Sequence, residues 1–213
     1  MKMLAKGSNN IMYLINKMNL RLRYFVQLAF LIATITIIFC LSYHLTNLNA
    51  WKVPLGYQGD LWYVLANIKA YMTGEIPLFG FKLVSLLNAP GIANWNDYPI
   101  TEDIIFYSTG QLAKLIGLYA ATNFLLFMSH MFAGISFWVV CKHYKVSGYL
   151  AFSGALAFSF SHFIFIRGLG HITVGFCWHI PLLLMVLEWV YNKKPIKFLS
   201  LAFYVACTIS FIA

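Results

Sequence analysis

Apolar positions in this chain form long unbroken runs rather than an alternation. Residues 24–45 give 22 positions without a formal charge, residues 117–141 give 25, and residues 146–166 give 21. Each run meets the roughly 20 residues that a helix needs to cross a hydrocarbon core. Residues 172–187 supply 16 more before Glu188, and Trp189, Val190 and Tyr191 extend them to an interfacial edge. A last run, 198–213, is also 16 residues long and reads as an incomplete span. The expected architecture is an all-α polytopic membrane helix bundle with about five spans, forming a single domain over 1–213. A leader over 1–24 precedes spans at 25–45, 117–141, 147–166, 172–191 and 198–213.

The long connection 46–116 has its own pattern. Leu61, Val64, Leu65, Ile68 and Met72 recur at helical spacing, Asn67 and Lys69 fall opposite them, and Gly74 supplies a stop. Thr101 to Ile116 is a second candidate helix, with Ile105, Leu112, Leu115 and Ile116 apolar. Between them, residues 76–100 hold three prolines, two glycines and three asparagines, the marks of irregular chain. Leu78, Phe79, Phe81, Leu83, Val84, Leu86 and Leu87 make this stretch too apolar to float in water, so it is expected to lie against the membrane face.

Composition agrees with the runs. The chain is 61% hydrophobic and 10% charged, against about 45–50% and about 25% for soluble domains. The net charge of +9 is not a nucleic-acid signal, because the basic residues are not gathered on one face. Lys2, Lys6, Lys17, Arg21 and Arg23 precede the first span, Lys142 and Lys145 follow the second, and Lys193, Lys194 and Lys197 follow the fourth. No acid falls in these segments. This positive-inside bias places the N-terminus in the cytoplasm and the 46–116 loop on the far side. The first apolar run is longer than a cleavable signal's core of roughly 7–15 residues and reads as a signal anchor. Cys40, Cys141, Cys177 and Cys207 show no metal or disulfide spacing and read as packing residues.

Five of the six acidic residues, Asp60, Glu75, Asp97, Glu102 and Asp103, lie in the far-side loop. Asp60 stands directly before the first amphipathic helix. It is placed either to cap that helix or to serve as a general base or a ligand to a divalent cation. Glu102 and Asp103 open the second helix, where they suit its dipole or supply a further acid near Asp60. Arg167, the one arginine beyond the leader, and His171 fall in an expected far-side turn at 167–171. There they can hold a phosphate, or contact lipid headgroups and a loop acid. His130, His162 and His179 fall within apolar runs, as neutral partners of a neighbouring helix or as functional groups. Glu188 is placed to pair with Lys193 or Lys194.

Together these features resemble the N-terminal part of polytopic membrane glycosyltransferases of the GT-C fold class, including a bacterial cell-envelope branch. The resemblance rests on one span followed by a long far-side loop that opens with Gly59-Asp60-Leu61-Trp62, two membrane-lying helices in that loop, and short later turns. Gly170-His171, Pro181-Leu182 and Glu188 add to it. It implies a bacterial inner-membrane enzyme that takes a sugar from a polyprenyl-phosphate donor to an extracytoplasmic acceptor. In that class the first-loop acid lies at the catalytic centre, which maps to Asp60, and a second acid maps to Glu102 or Asp103. Arg167 and His171 would then steady the donor phosphate. A non-enzymatic transporter or assembly subunit, or a truncated remnant, remains an alternative at this point.

Overall fold

One helix, α4 (Leu118–His143), carries most of the packing. Its apolar stretch is 56% buried, against 17% and 22% for the two other long apolar helices. The computed structural model describes residues 2–56, 60–85, 90–96, 103–172 and 174–192, of which 2–21, 169–170 and 189 are described by backbone alone. Around α4 stand α1 (Lys2–Ser42), α2 (Leu61–Thr73), α3 (Asp103–Ile116), α5 (Gly148–Ser159), α6 (His162–Gly170) and α7 (His179–Tyr191). Among the described residues, three stretches are long and apolar enough to cross a membrane: Leu22–Ser42, Leu118–His143 and Gly148–Gly168. On α1, Phe25, Val26, Phe30, Ile37 and Leu41 are exposed, which in water would be an unpaired apolar face and in lipid is an ordinary one.

Small residues let α4 and α5 approach closely. Ala151, Ala155 and Ser159 recur at four-residue spacing on α5 and are fully buried. A methyl group built on Gly134 of α4 would lie 3.2 Å from the Cβ of Ser159. This is the small-residue seam expected where two helices pack without a hydrophobic driving force between them.

The third apolar run is not one straight helix. It breaks at Phe160 and Ser161, where the Ser161 hydroxyl accepts from the Ile164 N–H to start α6. A break frees a carbonyl that must find a partner in a dry interior. The Ser159 carbonyl finds it in His130 Nδ1 at 2.7 Å, and the Ser159 hydroxyl donates to the His130 carbonyl at 2.7 Å. His130 is therefore a neutral, fully buried connector between two helices.

Several expected boundaries shift. α6 runs through Arg167 to Gly170, so the turn expected at 167–171 begins only at His171. Gly168 serves close packing rather than turning, since a Cβ there would lie 2.8 Å from Leu126 Cδ1. The 172–191 run is helical only from His179, and the 13 residues of α7 rise about 20 Å, short of a roughly 30 Å core. Glu188 pairs with His143 Nε2 at 2.8 Å, tying α7 to the end of α4. Lys193, Lys194 and the last apolar run lie outside the described residues.

The loop helices stand where the periodicity puts them. Leu61, Val64, Leu65 and Ile68 are buried, and α2 ends at Gly74 with φ 83°, a left-handed cap that favours glycine. Asn67 departs from expectation. It is fully buried, because α3 and α4 cover more of α2 than a single stripe. Its Nδ2 donates to the Tyr63 carbonyl. The irregular stretch holds a short antiparallel ladder, β1 (Leu83–Val84) with β2 (Ala93–Asn94). Glu75 fastens this ladder by accepting from the Ser85 N–H at 2.7 Å and the Ser85 hydroxyl at 2.6 Å.

Candidate functional site

The approach to Asp60 is held by both α4 and the end of α1. The amide of Asn123 donates to the carbonyls of Trp51 and Val53 at 2.9 and 2.7 Å, which pins the chain just after the short helical turn Ala50–Lys52. Trp51 packs on Phe39 and Phe127, and its indole N–H donates to the Leu45 carbonyl at 3.2 Å. The start of α2 is thereby set against the N-terminal end of α4.

Asp60 does not cap α2. Its side chain makes no capping hydrogen bond, although it occupies the position before Leu61. Instead its Oδ2 lies 2.9 Å from Nδ1 of His171, the residue that ends α6. Both side chains reach solvent, Asp60 at 61% and His171 at 40% exposure. Directly after His171, Ile172 is buried against α2 and α4, in a gap lined by Leu61, Leu65, Asn123 and Leu126. The free volume there is about 10 Å³, about one water probe.

Chemically, a carboxylate facing Nδ1 holds the imidazole in the Nδ1–H form and leaves Nε2 on the opposite edge. Among the described residues no hydrogen bond reaches Asp60 Oδ1, which leaves it available to a hydroxyl or a cation. Arg167 lies one helical turn before His171, is exposed, and has no side-chain partner among the described residues. Trp62, beside Asp60, presents 57% of its surface to solvent. Among the described residues, no three His, Cys, Asp or Glu side chains converge on a point. A divalent cation here would take Asp60 as its protein ligand and complete its shell with water or phosphate oxygens, as Mg²⁺ commonly does.

Asp103 stands elsewhere. Its Oδ1 accepts from the Tyr71 hydroxyl at 2.7 Å and its Oδ2 from Lys82 Nζ at 2.6 Å. Burial, and then the adjacent Asp103 carboxylate, push the Tyr71 hydroxyl well above its ordinary pKa of 10.0. Tyr71 is near the far end of α2, about 16 Å along the helix from Asp60. Asp103 thus joins α2, α3 and the β-ladder and is not brought to Asp60. Glu102 and Asp97 lie outside the described residues. The partner that sequence reasoning missed is Lys82, which sits in irregular chain where no periodicity points to Asp103. No protein-family model, curated protein or solved structure matches this chain.

Proposed function

We propose that this chain is the N-terminal, site-bearing part of a membrane glycosyltransferase. It would take a sugar from a lipid-phosphate donor to an acceptor on the far side of the membrane. The observation that carries the reading is the Asp60–His171 pair. An acid at the opening of the long loop meets a histidine from the turn after α6, and both side chains reach solvent. Asp60 Oδ1 takes the proton of the attacking acceptor hydroxyl as the glycosidic bond forms. The sugar–phosphate bond breaks, the lipid phosphate leaves as an anion, and Arg167 with His171 steadies it. In this reading α2 and α3 lie along the membrane and the N-terminus is cytoplasmic.

The buried state of His130 also supports it. A transporter reading gains when span histidines line a cavity, whereas this one is consumed by Tyr43 and Ser159. The test is genetic and chemical. Cells lacking the protein should lose a sugar from an envelope polymer and accumulate a polyprenyl-phosphate sugar. Wild-type protein should restore both, and Asp60→Asn should restore neither. Unchanged envelope sugars and lipid-linked intermediates in the deleted strain would overturn the proposal.

A further inference from the structure

At the other end of the bundle lies a cleft of about 500 Å³ between α1, α4 and α5. Ligand pockets typically run about 300–1,000 Å³. Asn123, beside the Asp60 end, and Lys142, in the cleft, are 19 residues apart on α4 and so about 28 Å apart along its axis. That is close to the thickness of a hydrocarbon core. The cleft therefore sits at the opposite membrane surface from Asp60, beside the short turn joining α4 to α5.

Its lining is cationic and aromatic. Arg23 and Lys142 supply two positive charges, and among the described residues no acid lines the cleft. Phe30, Trp138, Tyr149 and Phe152 form its walls. Lys142 Nζ stands 5.6 Å from the Trp138 ring centroid and 5.7 Å from that of Tyr24. Gly148 opens α5, and the Ser147 side chain before it makes no capping hydrogen bond. A methyl group built on Gly148 would lie 3.2 Å from Gln27 Nε2 and 3.7 Å from Lys142 Nζ. Two side-chain donors and the free N–H groups of a 12-residue helix thus converge on one spot. That arrangement attracts an anion. The other atom of the same amide, Gln27 Oε1, is buried and has no hydrogen-bond donor among the described residues. An orphaned buried acceptor calls for a hydroxyl or an amine from outside the chain.

We propose that this cleft binds the headgroup of an anionic glycerophospholipid that carries a free headgroup hydroxyl. The phosphate lies against Arg23, Lys142 and the α5 start, the hydroxyl donates to Gln27 Oε1, and the acyl chains follow the aromatic walls into the bilayer. Two anionic headgroups of equal charge separate the parts of this assignment: phosphatidylglycerol has the hydroxyl and phosphatidylethanol lacks it.

Native mass spectrometry of the purified protein in detergent, titrated with short-chain lipids, tests it. Phosphatidylglycerol should bind at least about tenfold tighter than phosphatidylcholine, equivalent to about 1.4 kcal/mol. Phosphatidylethanol should fall between them, and inorganic phosphate at the same concentrations should neither bind nor displace phosphatidylglycerol. Arg23 is exposed, so Arg23→Glu should spare the packing and remove the preference for anionic over zwitterionic lipid. Gln27→Leu should make phosphatidylglycerol and phosphatidylethanol equivalent while both still outbind phosphatidylcholine. Equal binding of phosphatidylcholine, an unaltered preference in Arg23→Glu, or displacement by inorganic phosphate alone would overturn the proposal.

Discussion

The Tyr43 hydroxyl donates to His130 Nε2 at 3.1 Å, while Nδ1 of the same ring donates to the Ser159 carbonyl at 2.7 Å. One imidazole thus joins the end of α1, the middle of α4 and the broken end of α5, with Phe39, Phe160 and Phe165 packed around it. Tyr43→Phe strands one buried acceptor, a loss of about 1–3 kcal/mol. His130→Ala strands the Ser159 carbonyl and also opens a ring-sized cavity, for which about 3–5 kcal/mol is typical of aromatic truncation. Thermal unfolding of the purified protein should rank wild type above Tyr43→Phe and Tyr43→Phe above His130→Ala. Equal midpoints for all three would show that the ring is not a connector.

Asp60 makes no side-chain cap and is largely exposed, so its replacement should leave stability within about 0.5 kcal/mol, as for ordinary surface sites. Loss of a positioned base costs roughly 10²–10⁴-fold in rate. Asp60→Asn and Asp60→Ala should therefore both melt near the wild-type temperature and both lose most of the proposed glycosyl transfer. Near-normal transfer by either well-folded variant would remove Asp60 from the chemistry.

Gly110→Ala decides between two opposed effects. Alanine favours a helix over glycine by up to about 1 kcal/mol. Here its Cβ would lie 2.7 Å from Tyr71 Cβ and 3.0 Å from the Met72 nitrogen, contacts that only a backbone shift relieves. Overpacking of that kind costs about 1–3 kcal/mol. The substitution should lower the melting temperature, and a rise would mean that α2 and α3 are not in this close contact.

Glu75 is held below the ordinary carboxylate value of 4.5 by its bonds from the Ser85 hydroxyl and N–H. A depressed folded-state pKa contributes stability above the ordinary value, and that contribution is lost as pH falls through the lower, folded one. Hydrogen exchange at the Ser85 amide, corrected for intrinsic rate, should accelerate only below about pH 4.5. In Glu75→Gln the amide should be less protected at every pH. Protection that ignores both pH and substitution would detach Glu75 from the ladder.

Much of this architecture was legible because periodicity survives into structure. The spacing of Leu61, Val64, Leu65 and Ile68 marked α2 and its buried face, and Gly74 marked its end. Asp60 and His171 stood out as polar residues where two connecting segments were expected to leave one end of the bundle. Three things were hidden. The α5–α6 break carries no proline or glycine at Phe160-Ser161; only Ser161, which caps α6, marks it locally, and the partner of the freed Ser159 carbonyl, His130, comes from another helix. Asn67 is interior because helices from distant parts of the chain cover it. Asp103 went to Tyr71 and Lys82 because the fold of an irregular segment decides its partners.

Phe127 and Phe160 each touch both large apolar clusters, the one around α2 and the one between α1, α4 and α5. With these two rings as shared bricks, neither half of the molecule has a private interior. The part bearing Asp60 and the part bearing the cationic cleft should lose their order in one cooperative step, so damage at either end of α4 is felt at the other as a lowered common melting point.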